Sequence, residues 1–93
     1  MPHDLIKKIR EARRHVEAGE IEAAKELIRI ILTSVDQQVS ANTSPQWPRH
    51  VLQFVRLRLL KAGRAVLTSD FVLATTALNE AIRALEKPDE KTY

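Results

Sequence analysis

The sequence predicts an all-α protein, a four-helix antiparallel bundle built from two helical hairpins. Three observations carry that prediction. Apolar residues recur at three- and four-residue spacing through four separate segments, the mark of helices with one buried face. Two of the junctions between these segments are only a few residues long, which forces the helices they join to run antiparallel. Between the second and third segments lies a single proline-bearing break, SANTSPQWP, from Ser40 to Pro48.

Composition agrees. A chain of 93 residues makes one domain, and its 44% hydrophobic and 29% charged content is that of a folded globular protein. Nearly half of the chain is alanine, leucine, glutamate, lysine and arginine, all good helix formers, and there are only two glycines. The absence of cysteine excludes disulfides, thiolate metal sites and a cysteine nucleophile. No apolar run approaches the length of a membrane span and no signal-peptide core opens the chain, so the expected setting is cytoplasmic, away from membranes.

The first hairpin is expected over residues 4–39. Its first helix runs from Asp4, the expected N-cap, to Ala18, with Gly19 as the stop. Leu5, Ile9, Ala12 and Val16 draw one narrow stripe along it. The second helix starts near Glu20 and repeats Ile21, Ala24, Ile28, Ile31, Val35 and Val39, with Leu27 and Leu32 widening the face. Glu20 and Glu22 suit its positive N-terminal end.

The loop is expected over residues 40–47 and the second hairpin over 48–87. Ser44-Pro45 or Trp47-Pro48 can open the third helix, because proline is tolerated in a first turn. That helix is apolar over an arc too wide for one stripe: Val51, Leu52, Phe54, Val55, Leu57, Leu59, Leu60, Ala62 and Val66. Such a helix is either central in the bundle or partly exposed at an interface. Gly63, inside it, implies close packing against a neighbour, or else a fray or kink. Thr68-Ser69-Asp70 caps the fourth helix, whose stripe is Phe71, Ala74, Leu78, Ala81 and Leu85 with Ile82 beside it; Pro88 ends it. One helical domain therefore covers residues 1–88, with a polar tail at 89–93.

Around both tight turns, EAGEIEAAKELIRII from Glu17 and LTSDFVLATTALNEAI from Leu67, the chain resembles a tetratricopeptide-repeat helix pair over about two-thirds of its length. Ala62, Ser69-Asp70-Phe71, Ala74, Leu78 and Ala81 follow the family's order of small, turn, small, large and small residues. In the first pair Ala12, Gly19-Glu20-Ile21, Ala24 and Ile28 do the same, with Ile31 in place of the last small residue. Lys8 and Arg58 depart from the usual large aromatic, and Glu11 and Lys61 from the usual leucine. The two turns lie fifty positions apart, Gly19 to Ser69, rather than the thirty-four or so of a tandem array. The resemblance implies a scaffold that binds proteins or peptides.

Catalytic and metal chemistry find little support. His3, His15 and His50 are scattered, and no Glu-x-x-His or His-Glu-x-x-His spacing occurs. Ser34, Ser40, Ser44 and Ser69 lie at helix ends or in loops, where capping accounts for them. Phosphate loops and nucleophile elbows are missing from the sequence. A non-enzymatic protein without cofactor is expected.

Charge is more informative. Residues 1–36 hold seven basic and seven acidic side chains, and residues 70–93 hold three and five. Between Asp36 and Asp70 there are five basic residues, Arg49, Arg56, Arg58, Lys61 and Arg64, and no acidic one. Either acids on neighbouring helices, such as Glu22, Glu26 and Glu80, offset them, or the third helix presents a basic face. Arg58, set in an apolar arc, either snorkels outward or meets a carboxylate, and across an interface it would be a specificity contact. Trp47 either caps the open end of the bundle or anchors a partner.

The expected function is a small adaptor, chaperone-like or inhibitory protein that binds a partner protein, or a second copy as a homodimer. Trp47, Phe54, Leu57 and Leu60 make the expected contact surface, with Arg56, Arg58 and Arg64 giving charge selectivity. The alternative is a nucleic-acid-binding regulator using the basic side of the first and third helices.

Overall fold

A computed structural model describes residues 3–41 and 47–88. Residues 3–41 form α1 (His3–Glu17) and α2 (Ile21–Ala41), and residues 47–88 contain α3 (Arg49–Leu67) and α4 (Phe71–Glu86). No strand occurs among the described residues. The centre of the expected loop and the expected polar tail lie outside them.

Each helix packs on the next in the chain, and α4 packs back on α1, closing a four-membered ring. Two cross-contacts set the direction of α3 against α2: Asp36 meets Arg56, and Ile28 lies beside Gly63. The numbers run in opposite senses, so α2 and α3 are antiparallel. The radius of gyration is 12.3 Å, about what a close-packed chain of this length has. An open, splayed pair of hairpins is thereby ruled out.

The stripes read from the sequence form the core. Leu5, Ile9, Ala12 and Val16 of α1 are buried, as are Ala24, Ile28, Ile31 and Val35 of α2. On α3 the buried set is Val51, Leu52, Val55, Leu59, Ala62, Ala65 and Val66. Four buried alanines of α4, at 74, 77, 81 and 84, leave its backbone room to approach its neighbours, with Leu78, Ile82 and Leu85 between them. Among the described residues no polar or charged side chain is fully buried. Burial of apolar surface, at roughly 25 cal/mol per Å² removed from water, is therefore the main cohesive term.

The two hairpins are built alike. In the first turn Gly19 N–H donates to Val16 C=O (3.1 Å) and Glu20 N–H to His15 C=O (2.8 Å). In the second, Ser69 N–H donates to Val66 C=O (3.1 Å) and Asp70 N–H to Ala65 C=O (2.8 Å). Both are Schellman caps, in which a left-handed residue lets two amides reach back to orphan carbonyls. Gly19 supplies that residue at φ 76° and Ser69 at φ 60°. The offset of fifty also maps the core of one hairpin onto the other. Leu5, Ile9, Ala12 and Val16 correspond to Val55, Leu59, Ala62 and Val66, all eight of them buried.

Some boundaries differ from expectation. Helix α1 is already helical at His3, so Asp4 stands in its first turn instead of capping it. Pro48 is the N-cap of α3, with no side-chain cap bond. The Asp70 carboxylate caps α4 by accepting from Leu73 N–H at 3.1 Å. Helix α3 runs unbroken through Gly63, and a Cβ built there would lie 3.7 Å from Ile28 Cγ2, an ordinary contact. Neither close packing nor a kink accounts for that glycine.

Candidate protein-docking surface

The wide apolar arc of α3 divides into two faces. One lines the core; the other looks outward. Leu57 is 57% exposed, Leu60 36% and Leu67 66%. At 100° per residue Leu57, Leu60, Arg64 and Leu67 fall within an arc of about 80°, so they form one stripe along the outside of α3. Its chain spacing of three, four and three is that of a helix seam.

Grooves flank the stripe on either side. Between α3 and α4 lies an open depression of about 510 Å³ bordered by Leu57, Leu60, Lys61, Arg64 and Leu73. Between α2 and α3 lies a second, of about 270 Å³, with Ile28, Leu32, Leu60 and Leu67 against it and Gly63 in its floor. Leu60 and Arg64 belong to both and form the ridge between them.

The sister hairpin tests whether the fold itself calls for these residues. Fifty positions earlier, Leu57, Leu60 and Leu67 correspond to Lys7, Arg10 and Glu17, which are exposed and charged. Val72, 80% exposed at the start of α4, corresponds to Glu22. The same scaffold therefore carries charges at these positions in one half and large apolar side chains in the other. Single exposed apolar residues are ordinary on any surface. A stripe present in one hairpin and replaced by charges in its twin is not explained by folding.

The remaining expected contact residues are engaged within the chain. Trp47 is 8% exposed, and its indole N–H donates to Leu85 C=O at 2.9 Å. Leu85 lies in the last turn of α4, where carbonyls have no intrahelical donor. Trp47 thus closes the end of the bundle, and its burial removes it from the outer surface. Phe54 is half-buried against the core, with the Arg58 guanidinium 5.0 Å from its ring centroid. Arg58 Nη1 also reaches Glu80 Oε1 at 3.5 Å, while its buried Nε–H meets no acceptor among the described residues. Arg56 pairs with Asp36 of α2. The carboxylates that answer Arg56 and Arg58 both come from neighbouring helices of the same chain.

Of the acids that could offset the third helix, Glu80 does so, whereas Glu22 and Glu26 do not. They pair along their own helix, with Lys25 and Arg29, and not with α3. The Arg29 guanidinium, through its hydrogen bond and then its charge, holds the Glu26 carboxyl below the usual carboxylate range. Lys61 and Arg64, both exposed, have no carboxylate within reach among the described residues. The only cation on the leucine stripe is thus Arg64, with Lys61 beside it.

Other chemistry does not gather. His15 Nδ1 meets Glu20 Oε1 at 2.8 Å across the first turn, His50 is exposed at the start of α3, and among the described residues no three metal-ligating side chains converge. No helix among the described residues is long and apolar enough to cross a membrane. Comparison with protein-family models, curated proteins and solved structures finds no match for this chain.

Sequence reasoning missed Leu67 and the groove lined by Gly63. The signal was present in the fifty-residue offset. Reading one hairpin against the other singles out the positions at which apolar side chains replace charges.

Proposed function

We propose that the chain is a small non-enzymatic protein-binding module, acting as an adaptor, chaperone-like or inhibitory protein through the outer face of α3. The observation that carries this reading is the exposed stripe Leu57, Leu60 and Leu67, matched by Lys7, Arg10 and Glu17 in the sister hairpin. Keeping large apolar side chains in water wastes burial worth about 1.5–3 kcal/mol each, and a partner protein or a second copy recovers it. Arg64, within the stripe, gives the contact its sign.

Nucleic acid is the second reading, favoured by the acid-free stretch between Asp36 and Asp70. Two of its five cations, Arg56 and Arg58, are already answered by Asp36 and Glu80. Three remain, few for a phosphate-tracking surface, and the stripe between them is leucine.

A photo-crosslinking residue placed at Leu57, in the full chain expressed in its native host, tests the reading. Lys8, exposed on α1 across the ring from α3, is the control position. Discrete protein adducts from position 57 and not from position 8 are expected. Equal labelling from both positions, or adducts to nucleic acid alone, would overturn the reading.

A further inference from the structure

We propose that the groove between α2 and α3, opened by Gly63, receives an amphipathic helix with acidic flanks from another protein. This rests on the reading of the outer face of α3 as a docking surface, and it names the partner's chemistry and seat.

The groove is best understood against its counterpart between α4 and α1. There Arg13 stands where α3 has Gly63, and its Nη1 donates to Asn79 Oδ1 of α4 at 2.8 Å. Arg10, the counterpart of Leu60, pairs with Glu86. Two arginines thus strap that interface from outside. At the α2–α3 interface both straps are missing: Gly63 offers no side chain and Leu60 no polar head. What is left is a trough floored by Gly63, with Ile28, Leu32, Leu60 and Leu67 along it. Neither the backbone nor the packing requires glycine at this point, since the Cβ of an alanine would sit at 3.7 Å from its nearest neighbour. An open trough is the consequence that distinguishes glycine from a larger residue.

The occupant's chemistry follows from the walls. Lys25 and Arg29 stand on the α2 side and Arg64 on the α3 side, and the lining contains no acidic residue. Lys25 and Arg29 each hold one glutamate of their own helix, at i−3, while Arg64 holds none. An apolar floor edged by the unanswered Arg64 cation, with the α2 cations already paired along their own helix, is complementary to a helix whose apolar stripe is flanked by carboxylates. The trough runs from Lys25 to Leu32 on one side and Leu60 to Leu67 on the other, about two helical turns or roughly 10 Å. It contains no aromatic ring on which a nucleobase could stack.

The test uses the full chain and two fluorescein-labelled synthetic helices of about 18 residues, each with a leucine seam. One carries glutamate on its flanks and the other lysine. Binding is followed by anisotropy, with helical content and thermal melting confirming that every variant is folded. The glutamate peptide should bind at least about tenfold more tightly than the lysine peptide, and more weakly as salt rises. Arg64→Glu should weaken it by about fivefold or more and narrow the preference. Gly63→Arg, which reproduces the sister hairpin, should abolish binding of both peptides. Gly63→Ala should have a smaller effect in the same direction.

Equal binding of the two peptides, both lost in Gly63→Arg, would refute the acidic partner and leave the docking reading standing. Binding indifferent to Gly63→Arg, or no binding at all, would refute the groove, while the crosslinks from position 57 decide the broader reading separately. Tighter binding of a DNA duplex, lost in Arg64→Glu and kept in Gly63→Arg, would replace the proposal with nucleic acid. A dimer of the chain alone, dissolved by Gly63→Arg in sedimentation, would make the occupant a second copy and overturn it as well.

Discussion

Replacing Gly63 with alanine should make this protein more stable. Glycine in a helix interior costs about 0.8–1.0 kcal/mol relative to alanine, because the unfolded chain has more backbone freedom to lose. That gain is realised only where the new methyl meets no clash. The nearest atom to a Cβ at position 63 is Ile28 Cγ2 at 3.7 Å, within ordinary van der Waals range. Helix α3 runs from Arg49 to Leu67 without interruption, so Gly63 has helical geometry that alanine shares. No strain term therefore offsets the propensity term, and the expected gain is about 1 kcal/mol. In a domain of this size, that raises the melting temperature by roughly 4–8 °C. Urea titrations of the two proteins, followed by helical circular dichroism, measure it directly: the midpoint should rise with the slope unchanged. An unchanged or lower midpoint would show that a methyl at position 63 meets Ile28 more closely than 3.7 Å. Glycine would then be a packing residue, and the open-groove account would fall with it. If the gain is found, the chain forgoes stability at a site where folding has no use for glycine, as proteins do where function sets the residue.

Other perturbations follow from the same geometry. Trp47→Phe should cost about 1–2 kcal/mol, because it strands the buried Leu85 carbonyl that the indole N–H satisfies; an unfolding midpoint equal to wild type would mean that water serves that carbonyl as well. The two turns should respond in opposite directions. Ser69→Gly should stabilise by roughly 0.5–1 kcal/mol, since φ 60° is strained for serine. Gly19→Ala should lose about 1 kcal/mol by conformation alone, with nothing within 4 Å of the new methyl. Chemical denaturation of both variants decides whether they move apart. Glu26 should titrate below an ordinary glutamate and return to normal in Arg29→Ala. A carboxyl depressed in the folded state adds stability that is present above its unfolded value and lost as the pH falls through the folded one. Carboxyl chemical shifts across an acid titration check this; a Glu26 curve unmoved by Arg29→Ala would remove the pairing.

Much of the fold is legible without coordinates, because helix formation and amphipathicity are local. The spacing of Leu5, Ile9, Ala12 and Val16, or of Phe71, Ala74, Leu78 and Ala81, marks the face that must leave water. Gly19 and Ser69-Asp70 mark where each helix turns back, and the four helices stand within a residue or two of the expected bounds. The presence of an apolar surplus on the third helix is likewise a property of its sequence.

Which side of α3 holds that surplus was decided by the packing. Periodicity makes Leu59 and Leu60 equally apolar, and only the register of α3 against α2 and α4 buries one and leaves the other partly in water. The same holds for Trp47, whose partner lies 38 residues away, and for Arg56 and Arg58, whose carboxylates come from α2 and α4. Such pairings depend on the rotation and offset of one helix against another. Many side chains set these together, and no local pattern encodes them.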